Sequence, residues 1–192
     1  MRLSRMSTGI TKSPTFAVEA KAAAMRAQGI DVIPFGAGEP DFDTPEHIRE
    51  EAKASIDSGH TRYTPTAGTA ELRQAIADSI LARHGLAYKP SNIIVSCGAK
   101  HSLFNAFLAL VDPGDEVIVP APYWVSYPDQ VRIAGGTPVI VDTSSTGFKL
   151  TAEVLEAAIT PHTRVLILNS PSNPTGASYT RAELEGEFRM SK

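Results

Sequence analysis

One cysteine, Cys97, in 192 residues leaves no second thiol for an internal disulfide framework, a usage that fits a reducing, cytoplasmic compartment. Long apolar runs are also missing. A bilayer-spanning helix needs ~18 or more consecutive apolar residues, and no stretch approaches that, so no membrane role is expected. Positive charge is not in surplus, because 18 Lys and Arg face 21 Asp and Glu for a net charge of −3. Without a basic run or interleaved basic and aromatic residues there is no electrostatic footprint for nucleic acid, and a small-molecule partner is expected instead. His47, His60, His84, His101 and His162 form no pair at metal-ligand spacing, so no metal site is expected. No Gly-x-Ser-x-Gly elbow occurs, which argues against serine-hydrolase chemistry.

What remains is an ordinary globular composition: 42% hydrophobic and 20% charged residues are enough to bury a core, and disorder is not expected. Ser13-Pro14 reads as the N-cap and first position of a helix that runs through Met25 and ends at Gly29. Val32 to Phe35 is a short apolar strand. Thr44-Pro45-Glu46 starts the next helix by the same cap-plus-proline logic, and Ser58-Gly59 stops it. A further helix runs from Gly68 and Glu71 to about His84, with Leu72, Ile76 and Ile80 on one face.

From Asn92 onward the pattern alternates strand and helix. Predicted strands cover Asn92–Ser96, Glu116–Val119, Pro138–Val141 and Val165–Leu168, and predicted helices start near Ala99, Ser126 and Thr151. The first of these helices presents Leu103, Phe107 and Leu110. This order is that of an α/β fold with a parallel sheet, in which ligands sit beyond the carboxyl ends of the strands. Three such ends carry unusual residues.

After the last strand comes Asn169-Ser170-Pro171-Ser172-Asn173-Pro174-Thr175-Gly176, where two prolines restrict both themselves and the residues before them. After the second strand comes Pro122-Tyr123-Trp124, which offers the chain's single tryptophan either as a stacking face or as core. Cys97-Gly98-Ala99-Lys100 turns from a strand into a helix, where backbone N–H groups and the helix dipole make an anion site, or simply an ordinary turn. Cys97 itself reads as a small buried filler rather than a nucleophile. Gly36-Ala37-Gly38 lets a ligand approach the backbone or makes a plain turn with φ > 0; it lacks the third glycine of a dinucleotide fingerprint. Tyr63 lies in a loop rich in Thr, Pro and Gly, where a tyrosine is ordinarily half-buried packing.

Four segments in order resemble the class I and II aminotransferases, pyridoxal-phosphate enzymes of fold type I, and most closely the aspartate aminotransferase branch. They are Gly38-Glu39-Pro40-Asp41-Phe42-Asp43-Thr44-Pro45, Tyr63-Thr64-Pro65-Thr66-Ala67-Gly68, Pro122-Tyr123-Trp124-Val125-Ser126-Tyr127-Pro128 and Asn173-Pro174-Thr175-Gly176. The resemblance runs from about Ser13 to about Glu185 and covers the first half of a family member. It implies a partial fold of that type, with residues 1–43 as an N-terminal arm, helix and part of a small domain. Residues 44–185 would be the first part of the large cofactor-binding domain, and residues 186–192 a divergent tail.

The first eighteen residues, with Arg2, Arg5, Lys12 and no acid, have something of a transit peptide's composition but no clear arginine-rich amphipathic helix, and the resemblance implies an arm there. By the same resemblance Gly98, Ala99 and Lys100 clamp the phosphate of pyridoxal 5′-phosphate, Trp124 stacks on its ring, and Asn173 bonds its phenolic oxygen. Tyr63 reaches the neighbouring subunit's phosphate in a homodimer. Gly38 contacts the substrate carboxylate through its backbone N–H, with Trp124 and Asn173 beside the substrate. The reaction implied is amino transfer between aspartate, or another dicarboxylic amino acid, and a 2-oxo acid.

The family's Schiff-base lysine, its aspartate at the pyridine nitrogen and its carboxylate-binding arginine all follow the Asn-Pro-Thr-Gly loop, and nothing in this sequence matches them. Lys12, Lys21, Lys53, Lys89, Lys100, Lys149 and Lys192 lie outside the lysine motif. No catalytic residue is therefore assigned, and the chain reads as truncated, a poor cofactor binder without turnover. Two other readings compete: a lyase or synthase of the same cofactor class, and a non-catalytic fragment that associates with an intact subunit through Tyr63.

Overall fold

The computed structural model describes residues 2–10, 14–33, 36, 38 and 40–187. They fall into two compact units, one of residues 14–102 and the other of residues 1–13 with 103–192. No helix among the described residues is long and apolar enough to cross a membrane.

The unit of residues 14–102 is helical. Helix α2 spans Pro14–Ala27, and Gly29 at φ 76° takes the left-handed conformation that ends it. The cap expected at Ser13 lies outside the described residues. So do Pro34 and Phe35 of the expected first strand, whose Val32 and Ile33 are not in a strand. Helix α3 spans Glu46–Asp57. Thr44 is not its cap, contrary to expectation: Pro45, at ψ 138°, occupies that position with no side-chain bond, and its carbonyl accepts Ile48 N–H and Arg49 N–H at 3.0 and 3.2 Å.

Helix α4 spans Ala70–His84, with the Thr69 hydroxyl accepting Leu72 N–H at its start and Gly85 in the left-handed region at its end. Its inward face differs from the expected one. Leu72 is exposed and Ala77 is buried, because Arg73 faces the neighbouring segment and its Nε donates to the carbonyls of Pro90 and Ile93 at 2.8 and 3.1 Å.

A strand was expected at Asn92–Ser96. The segment instead forms a 3-10 turn at Pro90–Asn92 and then runs extended without ladder pairing. Val95 N–H donates to Ala67 at 3.0 Å, while Ile94 is exposed. A strand is a property of a pair, and no second strand among the described residues of this unit offers one.

The other unit holds the sheet. A short helix α1, Arg5–Gly9, precedes it, capped by the Ser4 hydroxyl. Helix α5 spans Ala99–Leu110; its inward stripe within this unit is Leu103, Phe107 and Val111, with Leu110 exposed. Asp112-Pro113-Gly114-Asp115 then turns tightly, Asp115 N–H donating to Asp112 at 3.0 Å. Strand β1 spans Glu116–Ala121, α6 Ser126–Ala134, β2 Thr137–Asp142, α7 Ala152–Ala158, β3 Thr163–Leu166 and α8 Arg181–Glu187. The sheet has three strands in the order β2-β1-β3, both pairs parallel as expected, where the reading of the sequence had four. The last of them also sits earlier than predicted, because only Thr163–Leu166 is in strand geometry beside β1.

Parallel sheets are covered on both faces, and β1 obeys that rule. Val117 and Val119 pack with Phe107, Val111, Tyr127 and Val131 on one side, and Ile118 packs with Val141, Leu150 and Leu155 on the other. Val117, Ile118 and Val119 are fully buried, each contributing roughly 1.5–3 kcal/mol of burial.

Candidate active site at the strand ends

At the carboxyl end of β1 the chain enters Pro122-Tyr123-Trp124, and two bonds fix that exit. Thr143, buried just beyond β2, donates its hydroxyl to Ala121 O at 2.7 Å and its N–H to the same oxygen at 3.1 Å. Trp124 then packs edge to face on Tyr127, ring centroids 5.4 Å apart at 82°, a preferred aromatic geometry. Tyr127 is buried, and burial raises its phenol above the usual pKa, so it stays neutral.

Beyond β3 the extended chain continues, Ile167 N–H still reaching Ile118 O at 3.0 Å. The loop that follows closes on itself: Ser172 N–H donates to Ala177 O at 2.7 Å and Gly176 N–H to Ser172 O at 2.8 Å. Asn169 Oδ1 accepts Asn173 N–H at 3.0 Å. Asn169 is a positioning residue that the sequence reading overlooked; asparagine's habit of bonding backbone groups a few residues away was the available signal. The Ala121-Pro122, Ser170-Pro171 and Asn173-Pro174 bonds are cis.

These ends share one groove. Asn169, Asn173, Tyr123, Tyr127, Phe148 and Tyr179 are among its lining residues. Trp124 is not; it touches the groove wall only through its edge-to-face contact with Tyr127. Phe148 is held at φ 64°, the described non-glycine residue with positive φ, and its N–H donates to Thr143 O at 2.9 Å. Next to Phe148 in the chain, Lys149 Nζ lies 2.7 Å from Glu183 Oε1. Bonds from Lys149 and from Thr180 hold that carboxylate down to about 2.

The remaining predicted site residues belong to the unit of residues 14–102. Gly98, at φ 83°, needs glycine, and its carbonyl accepts His101 N–H and Ser102 N–H as α5 begins. Ala99 and Lys100 form the exposed first turn of that helix. Cys97 is exposed, not the buried filler expected; its N–H is taken by His101 Nδ1 at 3.1 Å, which leaves the thiol outside. Tyr63 is not half-buried packing: it is fully exposed. Its loop ends at Gly68, where a Cβ would come within 2.6 Å of Val95. Gly38 is exposed, without the positive φ of a plain glycine turn, and among the described residues nothing lies within 4 Å of where its Cβ would be; its neighbours Ala37 and Glu39 lie outside the described residues.

Residues 30–186 match the family model described as aminotransferase class I and II. The chain belongs to the class I and II aminotransferases. Among the family's curated members, the aspartate/prephenate aminotransferase of Cereibacter sphaeroides is 57% identical over 176 residues, 91% of this chain and 44% of that protein. The aspartate aminotransferase of Bacillus sp. strain YM-2 is 54% identical over 92% of this chain and 45% of its own length. Among solved aminotransferase structures, the Rhizobium meliloti aspartate enzyme superposes with a TM-score of 0.91 at 49% identity, covering 96% of this chain and 46% of that one. The Thermus thermophilus aspartate aminotransferase with maleate gives 0.91 at 51% identity over 96% of this chain and 49% of that one. The chain therefore spans less than half the length of the curated aminotransferases it matches.

Proposed function

We propose that this chain is the cofactor-facing first half of a pyridoxal-phosphate aminotransferase that acts on aspartate or a related dicarboxylic amino acid. The observation that carries the reading is Asn173, tethered by Asn169 at the end of β3 in a groove walled by Tyr127, whose ring Trp124 meets edge to face. Taken residue by residue, the donor chemistry suits the cofactor. The Asn173 side-chain amide suits a phenolic oxygen, the indole of Trp124 offers an aromatic face, and the α5 N-terminus with Gly98, Ala99 and Lys100 suits a phosphate. When bound, pyridoxal phosphate supplies an electron sink for the bonds at the substrate's α-carbon.

The protein's part would be to orient and to recognise. Gly38 would present a backbone N–H to the substrate carboxylate, Trp124 and Asn173 would flank the substrate, and Tyr63, fully exposed here, would reach a second subunit in a homodimer. Maleate in the Thermus thermophilus structure is a dicarboxylate, which supports a dicarboxylic substrate. Lys149 is committed to Glu183, in keeping with assigning no lysine a covalent role.

The test joins this chain to the C-terminal half of the Cereibacter sphaeroides relative and assays products from aspartate with a 2-oxo acid. Amino transfer is expected. Elimination or decarboxylation products would favour the lyase or synthase reading instead.

A further inference from the structure

We propose that Tyr179 is a positioning residue for the Asn173 loop: its hydroxyl and its backbone together hold that loop against the segment that carries Phe148 into the groove. The role of the groove rests on the aminotransferase reading; the latch itself does not. Leu150 is fully buried, yet its N–H has to be satisfied, and the Tyr179 hydroxyl accepts it at 2.6 Å. An unsatisfied buried N–H is costly, so the bond constrains where Tyr179 can stand.

The same residue is fixed from the other side. Tyr179 N–H donates to Ser170 Oγ at 3.1 Å, which closes the loop of residues 170–179 at its base. Inside that closure lie the Ser172–Ala177 and Gly176–Ser172 backbone bonds. Phe148 is two residues before Leu150, and both Phe148 and Tyr179 line the groove with Asn173. One side chain therefore spans from the base of the asparagine loop to the opposite wall. The ion pair between Lys149 and Glu183, 2.7 Å long, braces the same two segments one residue before Leu150 and four residues after Tyr179.

The test is hydrogen exchange of individual amides in this chain and in Tyr179→Phe, which keeps the ring and removes the hydroxyl. The expected result is joint loss of protection, about tenfold, at Leu150, Ser172 and Gly176, with Ile118 unchanged. Ser170→Ala, which frees the other end, should loosen the same three amides. Loss at Leu150 alone would overturn the proposal, since the hydroxyl would then fill a local need without holding the loop. Parallel loss at Ile118 would overturn it too, by showing a general structural role.

Adding millimolar pyridoxal phosphate to the wild-type sample separates the two claims. A cofactor that leaves the Asn173 side-chain amide signals unmoved contradicts the placing of Asn173 at the cofactor, while the exchange pattern still decides the latch.

Discussion

Lys149 Nζ and Glu183 Oε1 stand 2.7 Å apart, both about one-third exposed, and join the segment after β2 to helix α8. Glu183, at about 2 where 4.5 is usual, is strongly shifted toward its charged form. A depressed carboxylate stabilises the fold fully above its unfolded value and loses that contribution as pH falls from about 4.5 toward 2. Asp142, lowered by the N–H and hydroxyl of Ser144, acts in the same direction. Acid should therefore loosen α8, and Glu183→Gln should flatten the pH dependence of the urea midpoint over that window. An unchanged dependence would refute the assignment.

Thr143 ties the ends of β1 and β2 through Ala121 O, and it is 1% exposed. Thr143→Val keeps the shape and removes the hydroxyl, and the expected cost is about 1 kcal/mol, read as a lowered urea midpoint with unchanged slope. Trp124 fluorescence should shift with it, because the Ala121 anchor precedes the Pro122-Tyr123-Trp124 exit.

Strand β3 has one neighbour among the described residues, β1. The opposite edge strand, β2, contains Pro138, which weakens pairing at a free edge, whereas Thr163–Leu166 has no proline. Poor solubility is expected when the chain is expressed alone, with light scattering that rises steeply with concentration. A monomer that unfolds cooperatively at high concentration would contradict this.

How far the sequence announced this fold can be argued element by element. Helices α6 and α7 were legible because their boundary residues act locally, Gly135 by its left-handed conformation and Thr151 by accepting Val154 N–H. Strand β1 was legible because a doubly covered strand carries a short apolar run, here Val117–Val119, and β2 because Pro138–Val141 is apolar as well, although as an edge strand it is only partly buried. Asn92–Ser96 has the same apolar look and forms no strand, since a ladder depends on a partner elsewhere in the chain. Helical period placed Phe107 correctly but chose Leu110 over Val111 and Ile76 over Ala77, because periodicity fixes a stripe only to within a neighbouring residue. In the candidate site, Asn173 was visible from its prolines and its family motif. Phe148 and Tyr179 were not, as their roles arise from contacts across 29 residues or more and from a backbone conformation that phenylalanine rarely adopts.

No lysine should act as the covalent anchor. Incubation with pyridoxal phosphate followed by borohydride should leave Lys100, Lys149 and the other five lysines without stoichiometric label, checked by peptide mass spectrometry. A single stoichiometrically modified lysine would overturn the assignment of no catalytic residue.

The central claim is that the groove lined by Asn173 takes a phosphorylated aromatic ligand, and the sole tryptophan, in contact with Tyr127 of that groove, makes it directly measurable. The decisive measurement is quenching of Trp124 fluorescence by pyridoxal phosphate in the wild-type chain and in Asn173→Ala. The account predicts weak but saturable quenching, with a Kd on the order of 1 mM that rises about tenfold in the variant. Linear, non-saturating quenching, or identical curves for the two proteins, would contradict it.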